Sequence, residues 1–326
     1  MQNIIKYVDN FDGTCCNFSY ISPDILGGSF SENFGIVGKG KIVLLKYEMN
    51  LLKPLKEIYL DRGINCFKFN RINNNIIHIG DFEGKLITIN YNYNNGQDNI
   101  LTNKIFQSEI TSLNIGKIYK NLLLAASTDN SAKLIDLKEN KFLLNIQNYS
   151  KKGFTSNSID YKTPNLISLS TNDGIVLFFD IRNNTKPIKC LLFNNPIMSI
   201  DFNHFNASFA VGESNGIIDI YDLRNDKNIP ISTLMGHQLA IKELKFSPFK
   251  ENILCSCGYD MNINLWDTRY SIPMKSYKHH TEFVTGIDFS NFNQNILSSI
   301  SFDKSIDIFI YIKIRKYLVN KYKINF

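Results

Sequence analysis

Seven segments of this chain share one eight-residue frame: KGKIVLLK (39–46), EGKLITIN (83–90), DNSAKLID (129–136), DGIVLFFD (173–180), NGIIDIYD (215–222), DMNINLWD (260–267) and DKSIDIFI (303–310). Successive starts lie 44, 46, 44, 42, 45 and 43 residues apart. A period this regular over nearly the whole length means one supersecondary unit used again and again. The first position is mostly Asp, Asn or Glu. The second is glycine in four copies (Gly40, Gly84, Gly174, Gly216), as a tight hairpin turn requires. The fourth position is apolar in every copy: Ile42, Leu86, Ala132, Val176, Ile218, Ile263 and Ile306. The sixth is apolar except at Thr88, and polar residues such as Asn262, Asn264, Asp219 and Asp307 alternate with these positions. Period-two alternation after a turn is a half-buried strand.

Asn, Gly and Pro turns punctuate each unit, and no stretch is long and periodic enough for a helix. A single small sheet cannot bury both of its faces, so seven such units must stack around an axis. The expected fold is all-β, a seven-bladed β-propeller over residues 1–310, with a basic C-terminal tail at 311–326. Ile4, Ile5, Tyr7 and Val8 are expected to form the strand that closes the last blade.

The last two repeats align without a gap at an offset of 43: His237 with His280, Phe246 with Phe289, Ser256 with Ser299, Asp260 with Asp303, and Trp266 with Phe309. Gly-His at 236–237 followed by Trp-Asp at 266–267 resembles the WD-repeat family. The resemblance implies a buried hydrogen-bonded network of His237, Ser256, Asp260 and Trp266. His280, Ser299 and Asp303 repeat it, although Phe309 has no indole N–H to donate. His279, beside it, is expected to face solvent.

Composition excludes several function classes. The six cysteines (15, 16, 66, 190, 255, 257) show no C-x-x-C pair and no zinc-finger spacing. They read as packing thiols of a reducing compartment, with no metal and no cofactor expected. The net charge of +6 is concentrated in residues 311–326, which hold five Lys/Arg and no acid. The rest carries 31 basic and 30 acidic residues, so no basic face for nucleic acid is expected. No apolar run approaches the ~20 residues that span a bilayer, and no secretory signal is present, so no stable membrane insertion is expected. Residues 35–42, GIVGKGKI, superficially resemble a phosphate loop. However, Ile42 stands where a metal-binding hydroxyl belongs, and a strand follows instead of a helix. No nucleophile has a matched base, so the chain reads as a binding protein and not an enzyme.

Residues 236–289 contain GH-x-x-AI-x-x-x-KFSPF, then the turn GYD, then HHTEF-x-x-GIDFS. With Phe18-Ser19 and Phe34-Gly35-Ile36-Val37-Gly38, this stretch is similar to the peroxin-7 family of receptors for the type-2 peroxisomal targeting signal. The resemblance covers about a third of the chain in detail and the remainder in register. It implies a cytoplasmic import receptor, with shuttling to the peroxisomal matrix as one option. Its cargo would carry an N-terminal amphipathic nonapeptide with a basic lead, and a co-receptor of the peroxin-5 or peroxin-20 type would cover it. Such a ligand needs an acid for its arginine and an apolar floor for its helix face.

The repeat frame then implies which side chains reach the binding face. The residues before the turn acids are Phe82, Thr128, Asn172, Ser214, Tyr259 and Phe302. The third and fifth positions after the Gly-His histidine, which the WD-repeat resemblance also places on that face, include Asn65, Glu109, Thr111, Met198, Ala240, Lys242, Phe283 and Thr285. Glu109 is the expected arginine partner and Glu282 the second choice, with Tyr259, Phe283, Phe302 and Met198 as the floor. Pro196 stands where that family often has a second acid, and Lys242 adds a positive charge. Another reading is a substrate adaptor of a cullin-type ubiquitin ligase, suggested by Asp-x-Arg at 180–182, 222–224 and 267–269. A third is a scaffold subunit of a multiprotein complex.

Overall fold

A computed structural model describes residues 4–93, 97–159, 163, 165–183, 186–225 and 228–311. Most of the basic tail, residues 312–326, lies outside the described residues. Among the described residues there is no α-helix, no helix long and apolar enough to cross a membrane, and 28 strands in seven four-stranded sheets. Blade 1 comprises β2 (Asp12–Phe18), β3 (Ile25–Ser31), β4 (Gly40–Glu48) and β5 (Leu51–Leu60). Blade 2 follows with β6 (Ile64–Phe69), β7 (Ile76–Asp81), β8 (Lys85–Asn90) and β9 (Asn99–Lys104). Blade 3 has β10 (Ile110–Ile115), β11 (Leu122–Ser127), β12 (Ser131–Asp136) and β13 (Lys141–Gln147). Blade 4 has β14 (Phe154–Ile159), β15 (Leu166–Thr171), β16 (Ile175–Asp180) and β17 (Lys189–Leu192). Blade 5 runs through β18 (Ile197–Phe202), β19 (Ser208–Glu213), β20 (Ile217–Asp222) and β21 (Ser232–Met235). In blade 6 the strands are β22 (Ile241–Phe246), β23 (Ile253–Gly258), β24 (Ile263–Asp267) and β25 (Lys275–Tyr277). Blade 7 is β26 (Val284–Phe289), β27 (Ile296–Ser301) and β28 (Ser305–Ile310), completed by β1 (Ile4–Val8).

The closing strand is where the sequence places it. β1 pairs antiparallel with β28, Ile4 opposite Phe309 and Tyr7 opposite Ile306. The first and last strands of the domain are thereby joined, and blade 7 needs both of them to be complete.

The core lies between blades, not at a single centre. Seven apolar clusters occupy the seven blade interfaces. One joins Ile42, Leu44 and Ile58 to Phe67, Phe69 and Ile79, and another joins Phe30, Val43 and Leu45 to Ile300, Ile306 and Ile308. Alternation in each strand sends one set of side chains to each neighbouring blade. The cysteines take part in this packing: Cys255 and Cys257 fill the interface of blades 6 and 7, Cys15 and Cys16 flank blade 1, and Cys66 packs against blade 3. Cys190 alone among the six is exposed.

The turn frame is only partly a glycine frame. Gly84, Gly174 and Gly216 have φ near +80 to +86°, and an added Cβ would meet backbone oxygens 2.4–2.8 Å away. Asn130, Met261 and Lys304 adopt the same left-handed conformation without being glycine. Gly40 is a correction: it begins β4, and a Cβ there would lie 2.4 Å from the Arg62 carbonyl oxygen, so close approach and not a turn explains it. The blade 1 hairpin is a longer loop in which Asn33 and Phe34 both have positive φ.

The expected network is present in blade 6. Trp266 Nε1 donates to Ser256 Oγ at 2.8 Å, Ser256 donates to His237 Nε2 at 2.7 Å, and His237 Nδ1 donates to Asp260 at 2.9 Å. Burial alone would raise the Asp260 carboxyl, but hydrogen bonds from His237, the Asn262 side chain and the Gln238 N–H bring it down to about 2. In blade 7 His280 bridges Ser299 (2.8 Å) and Asp303 (2.9 Å) in the same way. His279 departs from expectation. It is half-buried, edge-on to the Phe309 ring at 5.3 Å, with Nε2 3.4 Å from Ser299 Oγ. Phe309 is smaller than an indole, so a second imidazole fits where blade 6 has Gly236 against Trp266.

Candidate functional site

Inner strands begin, and second-to-third strand turns close, at one end of the ring, here called the top. Two regularities build that face. Each inner strand carries a β-bulge at its second or third residue, at Thr14, Asn65, Thr111, Thr155, Met198, Lys242 and Thr285. A bulge leaves one residue out of the ladder and turns its side chain aside. All seven line the central channel. Sequence reasoning named five of them and missed Thr14 and Thr155, whose only signal is their place in the repeat.

The channel residues are not equally available. Thr111 Oγ1 donates toward the Phe154 carbonyl at 3.0 Å, Thr155 toward Ile197 at 2.5 Å, and Thr285 toward Gly13 at 2.7 Å. Each hydroxyl stitches its blade to the next one. Thr111 and Thr285, expected as ligand contacts, are therefore committed to the ring, and Asn65, Met198 and Lys242 remain as channel-mouth groups.

The second regularity sets the outer positions. The backbone N–H groups of Phe82, Thr128, Asn172, Ser214, Tyr259 and Phe302 donate to the carbonyls of Gly63, Glu109, Gly153, Pro196, Ala240 and Phe283. One hydrogen bond in each of blades 2 to 7 thus sets the pre-turn residue beside the residue that enters the inner strand. Thr128 is held next to Glu109, Tyr259 next to Ala240, and Phe302 next to Phe283.

Side-chain chemistry divides this face in two. Over blades 6, 7 and 1 the rings of Tyr259, Phe283, Phe302 and Phe34 form an unbroken arc, with centroids 5.0, 6.4 and 4.9 Å apart in turn. Phe82 continues it, for its ring lies against Gly35, where any Cβ would come within 2.1 Å. Phe34 was not named as a site residue from the sequence; its exposure of 53%, with Ile36 at 76% and Val37 at 64%, marks a projecting apolar loop. The left-handed φ of Phe34 is the kind of strained backbone that tertiary contacts must hold in place. Over blades 3 to 5 the corresponding residues are small and polar: Thr128, Asn172 and Ser214.

Glu109 sits on the polar side, half-buried, in a depression lined by Phe82, Glu83, Lys104, Gln107, Ser108 and Thr128. Burial raises its carboxyl above the usual range, and the Lys242 charge opposes that rise. Burial works against the Lys242 charge, but neighbouring acidic groups, Glu243 among them, carry its ammonium above the usual lysine range. The lysine and Glu109 therefore share one electrostatic field at the channel mouth. Glu282 is exposed, and its backbone carbonyl accepts from Ser301 Oγ at 3.1 Å. The depression beside Glu109, the channel mouth and the aromatic arc together can hold an elongated ligand with one apolar side and a basic end.

The family model described as Nucleolar protein 10-like, N-terminal domain, a β-propeller, matches residues 117–291. The chain belongs to this family. Within the wider WD-repeat β-propellers it is similar to the peroxisomal targeting signal 2 receptor of Schizosaccharomyces pombe, 26% identical over 165 residues, covering 50% of this chain and 53% of that one. A receptor of the same name from Homo sapiens is 44% identical over 45 residues, 14% of each chain. The E3 ubiquitin-protein ligase COP1 of Arabidopsis thaliana is 24% identical over 172 residues, covering 52% of this chain and 24% of that one. The match spans about half the length of the first of these relatives and less of the others. This WD-repeat propeller thus shares its scaffold with proteins of several functions, and the side chains on its top face must supply the rest.

Proposed function

We propose that this propeller is a receptor for the N-terminal type-2 peroxisomal targeting signal of cargo proteins. The peptide lies as an amphipathic helix across the top face. The observation that carries the reading is the arc of Tyr259, Phe283, Phe302 and Phe34. Aromatic rings give a helix a rigid apolar floor at low entropic cost, while Glu109 offers a partly desolvated carboxylate to a leading arginine. The similarity to two targeting signal 2 receptors supports the same reading. A co-receptor of the peroxin-5 or peroxin-20 type would cover the exposed side of the helix near Ile36 and Val37. The protein acts in the cytoplasm as a binding module and not as an enzyme, and delivers its cargo for matrix import.

The test is fluorescence anisotropy of a labelled type-2 signal peptide titrated with the protein, with and without a candidate co-receptor. Saturable binding that weakens when the peptide's arginine becomes glutamate is the expected result. No binding under either condition would sink the reading. It would move forward the ligase adaptor, for which Asp180–Arg182, Asp222–Arg224 and Asp267–Arg269 (2.5–2.6 Å) and the similarity to COP1 are the arguments. Pull-down of a cullin linker tests that alternative.

A further inference from the structure

Blade 7 adds two residues, His279 and Asp307, to the repeat network of His280, and the resulting cluster is not part of the peptide face. His279 and His280 precede β26 and Asp307 lies in β28, with one ligand atom of each within 4.8 Å of the others. Asp307 Oδ2 is 3.3 Å from His279 Nε2 and 3.8 Å from His280 Nε2. Ser299 Oγ completes the group, 2.8 Å from His280 and 3.4 Å from His279. Asp307 is 1% exposed, and among the described residues neither carboxylate oxygen has a hydrogen-bond partner. A buried carboxylate without donors is costly, so something must compensate it.

Blade 6 shows that the structural network does not require this cluster. There the position of Asp307 is Asn264 and that of His279 is Gly236, yet the His–Ser–Asp chain is complete. The additional residues of blade 7 converge on one point. Separations of 3.3–3.8 Å are long for hydrogen bonds. They start at the spacing of about 3.3 Å between ligand atoms around a tetrahedral zinc ion with arms of about 2.0–2.1 Å, and a small inward shift of the side chains would close the shell. His280 Nδ1 donates to Asp303, the arrangement an orienting carboxylate gives a metal-binding histidine, so its Nε2 carries the lone pair; a metal would take that lone pair in place of the Ser299 O–H, now 2.8 Å away. The His279 side chain is 12% exposed and offers a way in. The charge that opposes a cation is Lys6, whose Nζ lies 3.9 Å from Asp303; its side chain is 42% exposed and long enough to turn outward.

We propose that His279, His280 and Asp307 bind a divalent transition-metal ion, with zinc the best match to two imidazoles and a carboxylate. Ser299 Oγ or a water takes the fourth position. The ion ties the loop before β26 to β28, beside the closing strand β1, and so clamps the ring where its two ends meet. Two adjacent histidines and an aspartate 27 positions later match no familiar ligand spacing, which is why the sequence points to no metal.

The test uses the full chain with Cys190→Ser, so that the exposed thiol does not compete, after treatment with a chelator. Zinc is titrated by calorimetry and thermal unfolding, and cobalt(II) by its absorption spectrum. One equivalent should bind and raise the melting temperature by a few degrees. The cobalt form should show four-coordinate ligand-field bands without a thiolate charge-transfer band. Asp307→Asn and His279→Gly, each of which installs the residue blade 6 uses at that place, should abolish binding while the protein stays folded. Absence of stoichiometric binding, binding that survives both substitutions, or a thiolate band would overturn the proposal.

Discussion

At the scale of single residues, Trp266 shows how much one donor contributes. Its indole supplies Ser256 with a hydrogen bond inside a closed network, so Trp266→Phe should cost about 1–3 kcal/mol in a urea or thermal unfolding series. Blade 7 already runs on a phenylalanine, with His279 in the space an indole would fill. The double variant Trp266→Phe/Gly236→His should therefore recover part of the loss, because the indole carbon 2.9 Å from the Gly236 Cβ position is gone. A double variant no more stable than the single one would contradict this. His78 gives a pH signature. It is buried between Asn70 (3.1 Å) and Thr88 (3.0 Å), and desolvation lowers its pKa from 6.5 to about 4. Between those values the unfolded chain binds the extra proton, so stability rises with pH. The contribution is complete above pH 6.5 and is lost as pH falls through about 4. Between pH 7 and 4 the protein should lose on the order of 2–3 kcal/mol more than His78→Gln in pH-dependent urea unfolding. Parallel curves would refute it.

At the scale of elements, the closing strand is the most exposed weakness. β1 covers β28 with five residue pairs, and Asp9 just beyond it holds Lys41 of blade 1 at 2.7 Å. Removing residues 1–8 should lower stability on the order of 3 kcal/mol, from the partly buried Ile4 and Tyr7 alone. It should also strip β28 amides of their hydrogen-exchange protection while blades 2 to 5 keep theirs; uniform protection would contradict the ring-closure account. The strands themselves were legible in the sequence, since period two and a fixed repeat length leave little freedom. The bulges were not. Each shifts the alternation by one residue, but so near the strand's start that too few residues precede it to show the change of phase, so the channel positions Thr14 and Thr155 looked like ordinary strand residues. The inward turn of His279 was equally hidden, because it depends on Phe309 being smaller than the Trp266 it replaces. Blades 3 and 4 keep the turn aspartate while the histidine is lost: Asp129 accepts from the Gln107 N–H and Asp173 from the Lys151 N–H, the role Asp260 plays toward Gln238. Backbone capping, not the full network, is what those blades retain.

At the scale of the whole molecule, seven similar blades make an asymmetric face. Aromatic residues gather on blades 6, 7 and 1, while small polar residues and Glu109 lie on blades 3 to 5. The repeat frame named most of these residues from the sequence, but their grouping into an arc required closure of the ring, which brings blade 7 beside blade 1 and Phe302 to Phe34. The central claim is that this face reads a basic lead on an amphipathic peptide. A charge exchange tests it most directly: Glu109→Arg should weaken binding of the type-2 signal peptide by about 2–5 kcal/mol. The peptide's Arg→Glu variant should fail on the unaltered protein and regain affinity for Glu109→Arg, measured by anisotropy with co-receptor present. Rescue in the crossed pair is the predicted result. Equal binding of both peptides to both proteins would contradict it.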